Sequence, residues 1–456
     1  MNNDTICSVS TPHGLGAISV LRLSGQEAFS IAQTLFTVNL NALRPREAKY
    51  AELCDKGQLI DQAVIVKYVA PHSYTGENML EISCHGSLFI QQKILELLIE
   101  NGCRMATPGE YTMRAFMNGK MDLPQAEAIG DLIDSQSEAS HHLAVNQLKG
   151  VFSDKIKELR AQFVELASLL ELELDFSEED VQFANRDKLL DIIQKLNAEV
   201  AVLLASFKTG NAIKQGIPVA IIGKPNVGKS TLLNALLQED RAIVSNIPGT
   251  TRDTIEDVLN LNGTLFRFID TAGIRASDDE IENFGIERTY KAVAKADIVM
   301  YVIDVNETSL EEVCSEVDFL NTETDMTDKK LLIVANKIDG LQEMPQQFRK
   351  WNDMDMLYVS AKRKVNMEGI TDALMQFVSE HRLTDTAVMT NARHYDVMLK
   401  IKDALERAEQ SLCNDIPTDL VAIDVREALH HLGIITGEVA TDEILNNVFG
   451  KFCIGK

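Results

Sequence analysis

Residues 223–230 read Gly-Lys-Pro-Asn-Val-Gly-Lys-Ser, between an apolar run at 218–222 and a helix-like sequence at 231–237. A strand, a Gly-x-x-x-x-Gly-Lys-Ser loop and a helix in this order are typical of a phosphate-binding P-loop. Gly223 and Gly228 let the backbone pass close to a phosphate. The N–H groups at the helix start supply donors and positive dipole. The sequence therefore predicts a nucleotide-phosphate site here.

Within this loop, Lys229 is predicted to reach the β- and γ-phosphates, and Ser230 to offer its hydroxyl to Mg²⁺. A plain glycine turn is the alternative, and the flanking strand and helix argue against it. The nucleotide contacts predicted from this segment are Asn226, Val227, Gly228, Lys229, Ser230 and Thr231.

Two further loops follow in the order of a GTPase. Thr251, in the polar loop Gly-Thr-Thr-Arg-Asp at 249–253, is expected to complete the Mg²⁺ shell. The apolar strand 265–269 delivers the carboxylate of Asp270 toward the metal, and Gly273 supplies an N–H for the γ-phosphate. The predicted nucleotide contacts in these loops are Ser245, Asn246, Ile247, Pro248, Gly249, Thr250, Thr251, Asp270, Thr271, Ala272 and Gly273.

The base specificity is predicted from Asn-Lys-Ile-Asp at 336–339, which follows an apolar run. Asp339 is able to accept hydrogen bonds from N1 and N2 of guanine, a pair of donors that adenine lacks. Asn-Lys-x-Asp alone is a weak signal, but it is specific behind a P-loop at this spacing. The segment resembles the Ras-like GTPase domain across about 213–380. The predicted base contacts are Asn336, Lys337, Asp339, Ser360, Ala361 and Lys362.

One position departs from the Ras pattern. Ile274 stands where Ras-type enzymes place the glutamine that orients the attacking water. An aliphatic side chain cannot orient water, so either the domain hydrolyses GTP negligibly alone or another group performs this task. Acidic residues follow at 278–282, and residues of this kind usually lie on the solvated surface.

Composition limits the remaining possibilities. The chain has 456 residues and a net charge of −24, which predicts two to four domains and argues against broad electrostatic binding to nucleic acid or anionic membrane. Its seven scattered cysteines predict reduced thiols in a cytoplasmic protein. An apolar run of 18 or more residues is absent from the sequence, so we expect no membrane span.

The GTPase segment is predicted to be inserted into a larger architecture. Residues 1–120 show an α+β pattern, in which Ser24 is a possible helix N-cap. Residues 121–212 and 381–456 are helical and are expected to close into one bundle, with 211–215 as a linker to the GTPase domain at 213–380. The fold class is therefore multidomain α/β plus all-α: an N-terminal α+β domain, a discontinuous helical bundle and an inserted Ras-like P-loop domain.

Two features have alternative explanations when only the sequence is considered. Arg22 and Glu81 interrupt apolar strands, and strand alternation turning them to solvent is as good an account as a functional role. The apolar tail at 449–456 is unusual for a chain end. Either Phe449 and Phe452 dock as a latch, or the tail reaches a site.

Several motifs together resemble the MnmE/TrmE family of tRNA-modification GTPases over essentially the whole chain. These are the inserted GTPase domain, the P-loop with Asn226, the loop at 249–253, Pro-Gln-Ala-Glu-Ala at 124–128, Pro-Gly-Glu-Tyr-Thr at 108–112 and the terminal Phe-Cys-Ile-Gly-Lys at 452–456. The pentapeptide and the insertion are the most specific of these, because other families share the GTPase motifs.

The resemblance implies a homodimer that forms a heterotetramer with an MnmG/GidA-type flavoprotein carrying FAD and using NADH. Together they add an aminomethyl or carboxymethylaminomethyl group to C5 of the wobble uridine, position 34, of certain tRNAs. The one-carbon unit comes from (6S)-5-formyl- or 5,10-methylene-tetrahydrofolate on the N-terminal domain, which also dimerises. Hydrolysis is K⁺-stimulated and occurs when two GTPase domains face each other, driving a conformational cycle.

Carried over residue by residue, the resemblance assigns further roles. Glu282 matches the glutamate that orients water, and Cys453 a possible catalytic thiol. The K⁺ ligands implied are Asn226, Ser245, Ile247 and Thr250; those of Mg²⁺ are Ser230 and Thr251. The folate contacts implied are Arg22, Glu81, Lys120 and Lys456.

The sequence argues against two other functions. A regulatory GTPase that binds ribosome or membrane would carry a Gly-x-x-Gly RNA module or a basic tail, and the sequence has neither. A folate-binding aminomethyl carrier with a vestigial GTPase conflicts with the intact guanine and Mg²⁺ motifs.

Overall fold

The computed structural model describes residues 4–175, 186–239, 257–269, 290–327, 329–341, 356–380, 387–414 and 416–455. The chain divides into two compact units. The first unit contains residues 1–133, 146–197 and 397–456, and the second contains residues 134–145 and 198–396. Each unit thus gathers segments that are far apart in the sequence.

The first unit contains a mainly antiparallel sheet with the strand order β3-β4-β5-β2-β1-β6, in which only the β1–β6 pair is parallel. Its strands are β1 (Ile6–Val9), β2 (Ile18–Ser24), β3 (Ala48–Asp55), β4 (Gln58–Tyr68), β5 (Met79–His85) and β6 (Arg104–Met105).

One face of this sheet packs against helices α1 (Ala28–Gln33) and α2 (Leu88–Glu100). Leu21 and Leu23 on β2 and Ile82 on β5 are fully buried in that core. Because side chains alternate along a strand, Arg22 and Glu81 lie on the opposite face. The register pairs these two residues directly, and it pairs Arg22 with Ser8 on β1.

The predicted N-cap at Ser24 is wrong. The residue at the cap position of α1 is Glu27, whose side chain makes no capping hydrogen bond. Ser24 instead ends β2, where its buried hydroxyl lies 2.7 Å from that of Thr75 and donates to Glu77 at 2.8 Å. It therefore fixes the loop before β5 rather than a helix start.

The remaining helices of the first half of the chain are α3 (Glu110–Met117), α4 (Leu123–Asp134), α5 (Glu138–Leu148), α6 (Val151–Asp175) and α7 (Arg186–Gln215). In the first unit, α6 packs against α12 (Thr418–Thr436), more than two hundred residues away. Arg426 on α12 bonds to Glu171 on α6 at 3.0 Å. The predicted bundle from two separate helical segments is thus confirmed.

The second unit contains a sheet with the strand order β12-β11-β10-β7-β9-β8, parallel except for the β8–β9 hairpin. Its strands are β7 (Ile217–Ile222), β8 (Asp257–Leu261), β9 (Thr264–Ile269), β10 (Ile298–Asp304), β11 (Lys330–Asn336) and β12 (Met356–Tyr358). Helices α8 (Lys229–Glu239) and α10 (Glu368–Glu380) cover one face, and α9 (Leu310–Glu323) covers the other. The central strands are apolar on both faces, as a doubly covered parallel sheet requires.

The predicted linker at 211–215 is wrong, because α7 continues as helix through Gln215. The segment before α11 (Ala392–Cys413), at residues 387–391, lies beside this helix. Ser206 Oγ accepts from the backbone N of Met389 at 3.1 Å, and the rings of Phe207 and Tyr395 stack with centroids 4.5 Å apart. The chain therefore leaves and rejoins the helices at neighbouring positions, as the insertion predicts. The last helix is α13 (Asp442–Phe449).

Candidate functional site

The P-loop of the second unit follows β7 and ends in the first turn of α8. Gly223 and Gly228 both have positive φ, of 143° and 96°. A β-carbon at Gly223 would collide with the carbonyl of Val302, and one at Gly228 with the side-chain nitrogen of Asn336. Glycine is required at both positions, because the loop is held tightly against β10 and the start of the base motif. Asn226 lies at the exposed crest with φ 63°.

The side chain of Lys229 folds back over this loop. Its Nζ donates to the carbonyls of Gly223 and Lys224 at 2.7 and 2.8 Å. Ser230 and Thr231 stand in the first turn of α8, where backbone N–H groups favour an anion. The predicted phosphate-binding residues are therefore brought together at one helix start.

Asn336 joins the phosphate end of the site to the base end. It is buried at the end of β11, where its Nδ2 donates to the carbonyl of Val227 at 2.9 Å. Its Oδ1 accepts from the backbone N of Ala361 at 3.0 Å. One side chain thus holds the P-loop and the Ser-Ala-Lys loop in register.

Asp339 is oriented by a neighbouring hydroxyl. Ser360 Oγ donates to Asp339 Oδ1 at 2.6 Å, and Arg363 Nε lies 3.7 Å from Oδ2. The Ser360 hydrogen bond lowers the pKa of Asp339 below its usual value. The carboxylate is therefore ionised at neutral pH, as an acceptor of two base N–H groups must be.

These groups surround a cavity of about 550 Å³, large enough for a nucleoside. Its walls include six of the predicted residues: Gly228, Thr231, Asn336, Lys337, Asp339 and Lys362. They also include Asn306 and Gly340, which the sequence analysis missed. A usable signal was present, because Asn306 follows the carboxyl end of β10 at the same sheet edge as the other motifs.

Part of the predicted site lies outside the described residues. This applies to both loops expected around the γ-phosphate and the metals, to the proposed water-orienting glutamate and to the last residue of the chain. These predictions are Ser245, Asn246, Ile247, Pro248, Gly249, Thr250, Thr251, Asp270, Thr271, Ala272, Gly273, Glu282 and Lys456.

A second polar cluster lies in the first unit, on the face of the sheet opposite α1 and α2. Arg22 Nε and Nη2 donate to Glu81 Oε1 at 3.1 and 2.7 Å. Tyr68 donates its hydroxyl to Glu81 Oε2 at 3.3 Å. Both charged side chains are about one-fifth exposed, so they are neither simple solvent-facing residues nor core.

Two tyrosines that no sequence pattern marked as site residues hold Arg22 in place. The guanidinium lies 5.4 Å from the ring centroid of Tyr74 and 5.7 Å from that of Tyr111. The Tyr111 hydroxyl donates to the backbone carbonyl of Arg22 at 2.7 Å. Burial raises the pKa of both tyrosines, so they stay neutral donors. Tyr111 falls in the quoted motif at 108–112, but nothing in its spacing marks Arg22 as its partner.

Lys120 is exposed and its Nζ donates to the carbonyl of Pro71 at 2.9 Å. Pro71 opens the loop that carries Tyr74. The structure thus connects Lys120 to the loop beside the Arg22–Glu81 pair, without bonding it to either of these residues.

The C-terminal tail docks on the first unit. Phe449 is buried, and its ring lies 5.8 Å from that of Phe452. The carbonyl of Gly455 accepts from Ser10 Oγ at 3.3 Å, just past β1. Cys453 is exposed, and its carbonyl accepts from the backbone N of Gly109 at 3.5 Å. The two phenylalanines therefore act as a latch, and the tail also reaches the end of the strand that pairs with β2.

The fold of the second unit and the cavity between its P-loop and Asp339 define a P-loop nucleotide-binding protein with the residues of a guanine pocket. Two family models match the chain: the N-terminus of the GTP-binding protein TrmE at residues 5–120, and the MnmE helical domain at residues 123–453. The chain belongs to the family of MnmE tRNA modification GTPases.

Full-length relatives support this assignment. Two proteins named tRNA modification GTPase MnmE, from Flavobacterium johnsoniae and Christiangramia forsetii, are each 46% identical to it. The alignments cover 100% of this chain and 100% and 99% of the relatives. A third of the same name, from Porphyromonas gingivalis, is 42% identical over 100% of this chain and 98% of its own.

A solved FeoB G domain from Methanococcus jannaschii is 27% identical over 35% of this chain and 96% of its own, with a TM-score of 0.25. That superposition is too poor to support any statement about function. Among the described residues, none of the helices has the length and apolarity to cross a membrane.

Proposed function

We propose that this chain is a K⁺-stimulated GTPase that modifies C5 of the wobble uridine, position 34, of certain tRNAs. It acts with an MnmG/GidA-type flavoprotein that supplies FAD and uses NADH, and adds an aminomethyl or carboxymethylaminomethyl group. The observation that carries this proposal is a guanine-type cavity within a chain that matches tRNA modification GTPases over their full length. The family name supports tRNA as the substrate; the position and the group added extend beyond it.

Within the GTPase site, we assign binding of the nucleotide phosphates to the P-loop and the start of α8. Lys229 would leave the carbonyls of Gly223 and Lys224 for the β- and γ-phosphates. Ser230 and Thr251 would hold Mg²⁺. Mg²⁺ and K⁺ supply positive charge to the phosphates when bound. The exposed position of Asn226 at the crest of the loop, in a left-handed conformation, supports its amide oxygen as one K⁺ ligand. Ser245, Ile247 and Thr250 complete the proposed K⁺ set.

Hydrolysis is assigned to Glu282, which orients the water because Ile274 cannot. Two GTPase domains of a homodimer face each other during hydrolysis, and their movement drives the conformational cycle of the protein. The test compares turnover in KCl and NaCl at equal ionic strength, with Asn226→Ala as the second arm. Stimulation by K⁺ that is lost in Asn226→Ala supports the assignment. Equal turnover of the wild type in both salts overturns the cation part of the proposal.

The N-terminal site is assigned to a tetrahydrofolate that carries a formyl or methylene group and supplies the one-carbon unit. Glu81 suits the N–H donors of the pterin, and Lys120 suits a glutamate carboxylate of the folate tail. The partly exposed Arg22–Glu81 pair, walled by Tyr74 and Tyr111, supports this assignment. Lys456 completes the set, and Cys453 is a possible thiol catalyst.

The domain assignment follows the same reasoning. We assign residues 1–120 to folate binding and dimerisation, 121–212 and 381–456 to the helical domain, and 213–380 to the GTPase. The complex is a cytoplasmic heterotetramer with the flavoprotein.

The decisive experiment is mass spectrometry of wobble-uridine nucleosides in tRNA from cells that lack this chain. Loss of the aminomethyl-type groups, restored by the wild type but not by a Lys456 deletion or Lys120→Met, supports the proposal. Lys49→Met is the matched control, because Lys49 is an exposed lysine on β3 of the same unit. Unchanged nucleosides in the deletion strain would favour a regulatory GTPase instead.

A further inference from the structure

Lys337 forms part of the wall of the cavity in the second unit, and its ammonium does not point into open solvent. Its backbone is left-handed, with φ 67°. Its Nζ lies 2.8 Å from Oδ2 of Asp304, and its side chain is 40% exposed. The charged end is therefore held against Asp304 at the sheet edge, while Lys337 still lines the cavity.

Asp304 is built to hold that ammonium. It is the last residue of β10, it is only 4% exposed, and it pairs in register with Asn336 of β11. Its Oδ1 accepts from both the backbone N and the Nδ2 of Asn306 at 3.0 Å. A buried carboxylate is costly unless it is paired, and here every donor comes from a residue that lines the cavity.

Asn306 fixes the other end of the same lysine. Its Nδ2 also donates to the backbone carbonyl of Lys337 at 3.1 Å. Its Oδ1 lies 3.1 Å from where a β-carbon of Gly340 would stand, so the turn after Asp339 packs against it. Lys337 is thus anchored at its ammonium by Asp304 and at its carbonyl by Asn306.

We propose that Asp304 and Asn306 are positioning residues for guanine-nucleotide binding, and that they act through Lys337. By holding the ammonium away, Asp304 presents the methylene chain of Lys337 as an apolar wall for the face of the base. Because the wall is ordered before the ligand arrives, binding does not have to immobilise a long side chain. This inference rests on the proposed function, in which the cavity takes a guanine nucleotide.

The test is a double-mutant cycle on the full chain, with GDP affinity as the readout. Asp304→Asn keeps the acceptor for Asn306 but removes the charge that faces Lys337, and we expect GDP affinity to fall about tenfold. Lys337→Met keeps an unbranched apolar stem but leaves Asp304 buried without its cation. We expect Asp304→Asn to cause no further loss in that background, because the two residues act as one unit.

Multiplicative losses in the double variant would overturn the proposal, since Asp304 would then act independently of Lys337. Asp325→Asn is the matched control, because Asp325 bonds Thr327 on the surface of the same unit, away from the cavity. It should leave GDP affinity unchanged.

A second variant covers the case in which Asp304→Asn does not fold. Asn306→Ala keeps the charges of Asp304 and Lys337, but it removes the anchor on the Lys337 carbonyl and one side-chain hydrogen bond to Asp304. It should weaken GDP binding about threefold to tenfold. Unchanged affinity would overturn the role of Asn306. If the wild-type chain itself does not prefer GDP to ADP, the proposed function fails; if it does and the cycle is multiplicative, only this inference fails.

Discussion

Replacing Asn336 by alanine should lower the affinity for every guanine nucleotide by a similar factor, without changing which base the protein prefers. Its amide makes two hydrogen bonds, to the Val227 carbonyl at 2.9 Å and from the Ala361 backbone N at 3.0 Å. Both partners belong to buried residues, and each unpaired buried group costs about 1–3 kcal/mol. We expect the folded domain to lose about 3 kcal/mol of stability. Since GDP binding then has to bring the two loops back into position, affinity should fall by at most the same amount, about a hundredfold.

The assay is fluorescence titration of GDP and xanthosine diphosphate, together with thermal unfolding. Thr371→Ala is the control, because Thr371 makes one hydrogen bond on the exposed side of α10 in the same unit. It should change neither affinity. Wild-type affinity in Asn336→Ala would refute the idea that this side chain holds the two loops together. A changed ratio between the two nucleotides would show that it reads the base instead.

Three other variants test separate parts of the reasoning. Asp339→Asn should shift preference toward xanthosine nucleotides, and an unchanged GTP preference would contradict the guanine assignment. Glu282→Ala should abolish most turnover but spare GTP affinity; weakened binding with normal turnover would refute the proposed role. Glu110→Gln should cost about 2–4 kcal/mol by thermal unfolding, because a buried carboxylate loses its charge beside Arg104 and Arg114. Burial alone would raise the pKa of Glu110, but the hydrogen bonds from Arg104, Thr107 and Arg114 outweigh it and hold that pKa below its usual value. The wild-type carboxyl therefore becomes neutral only in acid, where its stability difference from Glu110→Gln should vanish, and a pH-independent difference would contradict this.

The GTPase site was largely predictable because of where its residues lie. The P-loop and the Asn-Lys-Ile-Asp motif each follow an apolar strand, and the carboxyl ends of parallel strands meet at one edge of a sheet. Local sequence therefore determined which residues line the cavity. Asp304 has the same position at the end of β10 but carries no recognisable motif, so only the structure revealed its contact with Lys337.

The N-terminal site shows the opposite case. Whether Arg22 and Glu81 face solvent or each other depends on the register between β2 and β5, and a shift of one residue would place them on opposite faces. The alternation within each strand does not show which residue of the other strand stands opposite, so the sequence left two explanations open. The contacts of Tyr111 depend in addition on an ion-pair network of Asp4, Arg104 and Glu110 that holds its helix against β1.

This difference predicts how the two sites respond to mutation. The GTPase cavity draws on loops that each follow their own strand, so a variant in one loop should weaken binding while the sheet survives. The Arg22–Glu81 pair exists only while the antiparallel register holds, and that register is maintained by the buried face of Leu21, Leu23 and Ile82. A large-to-small change in that core should therefore disturb the N-terminal site without touching any of its polar residues, and it should leave GDP affinity in the second unit unaltered.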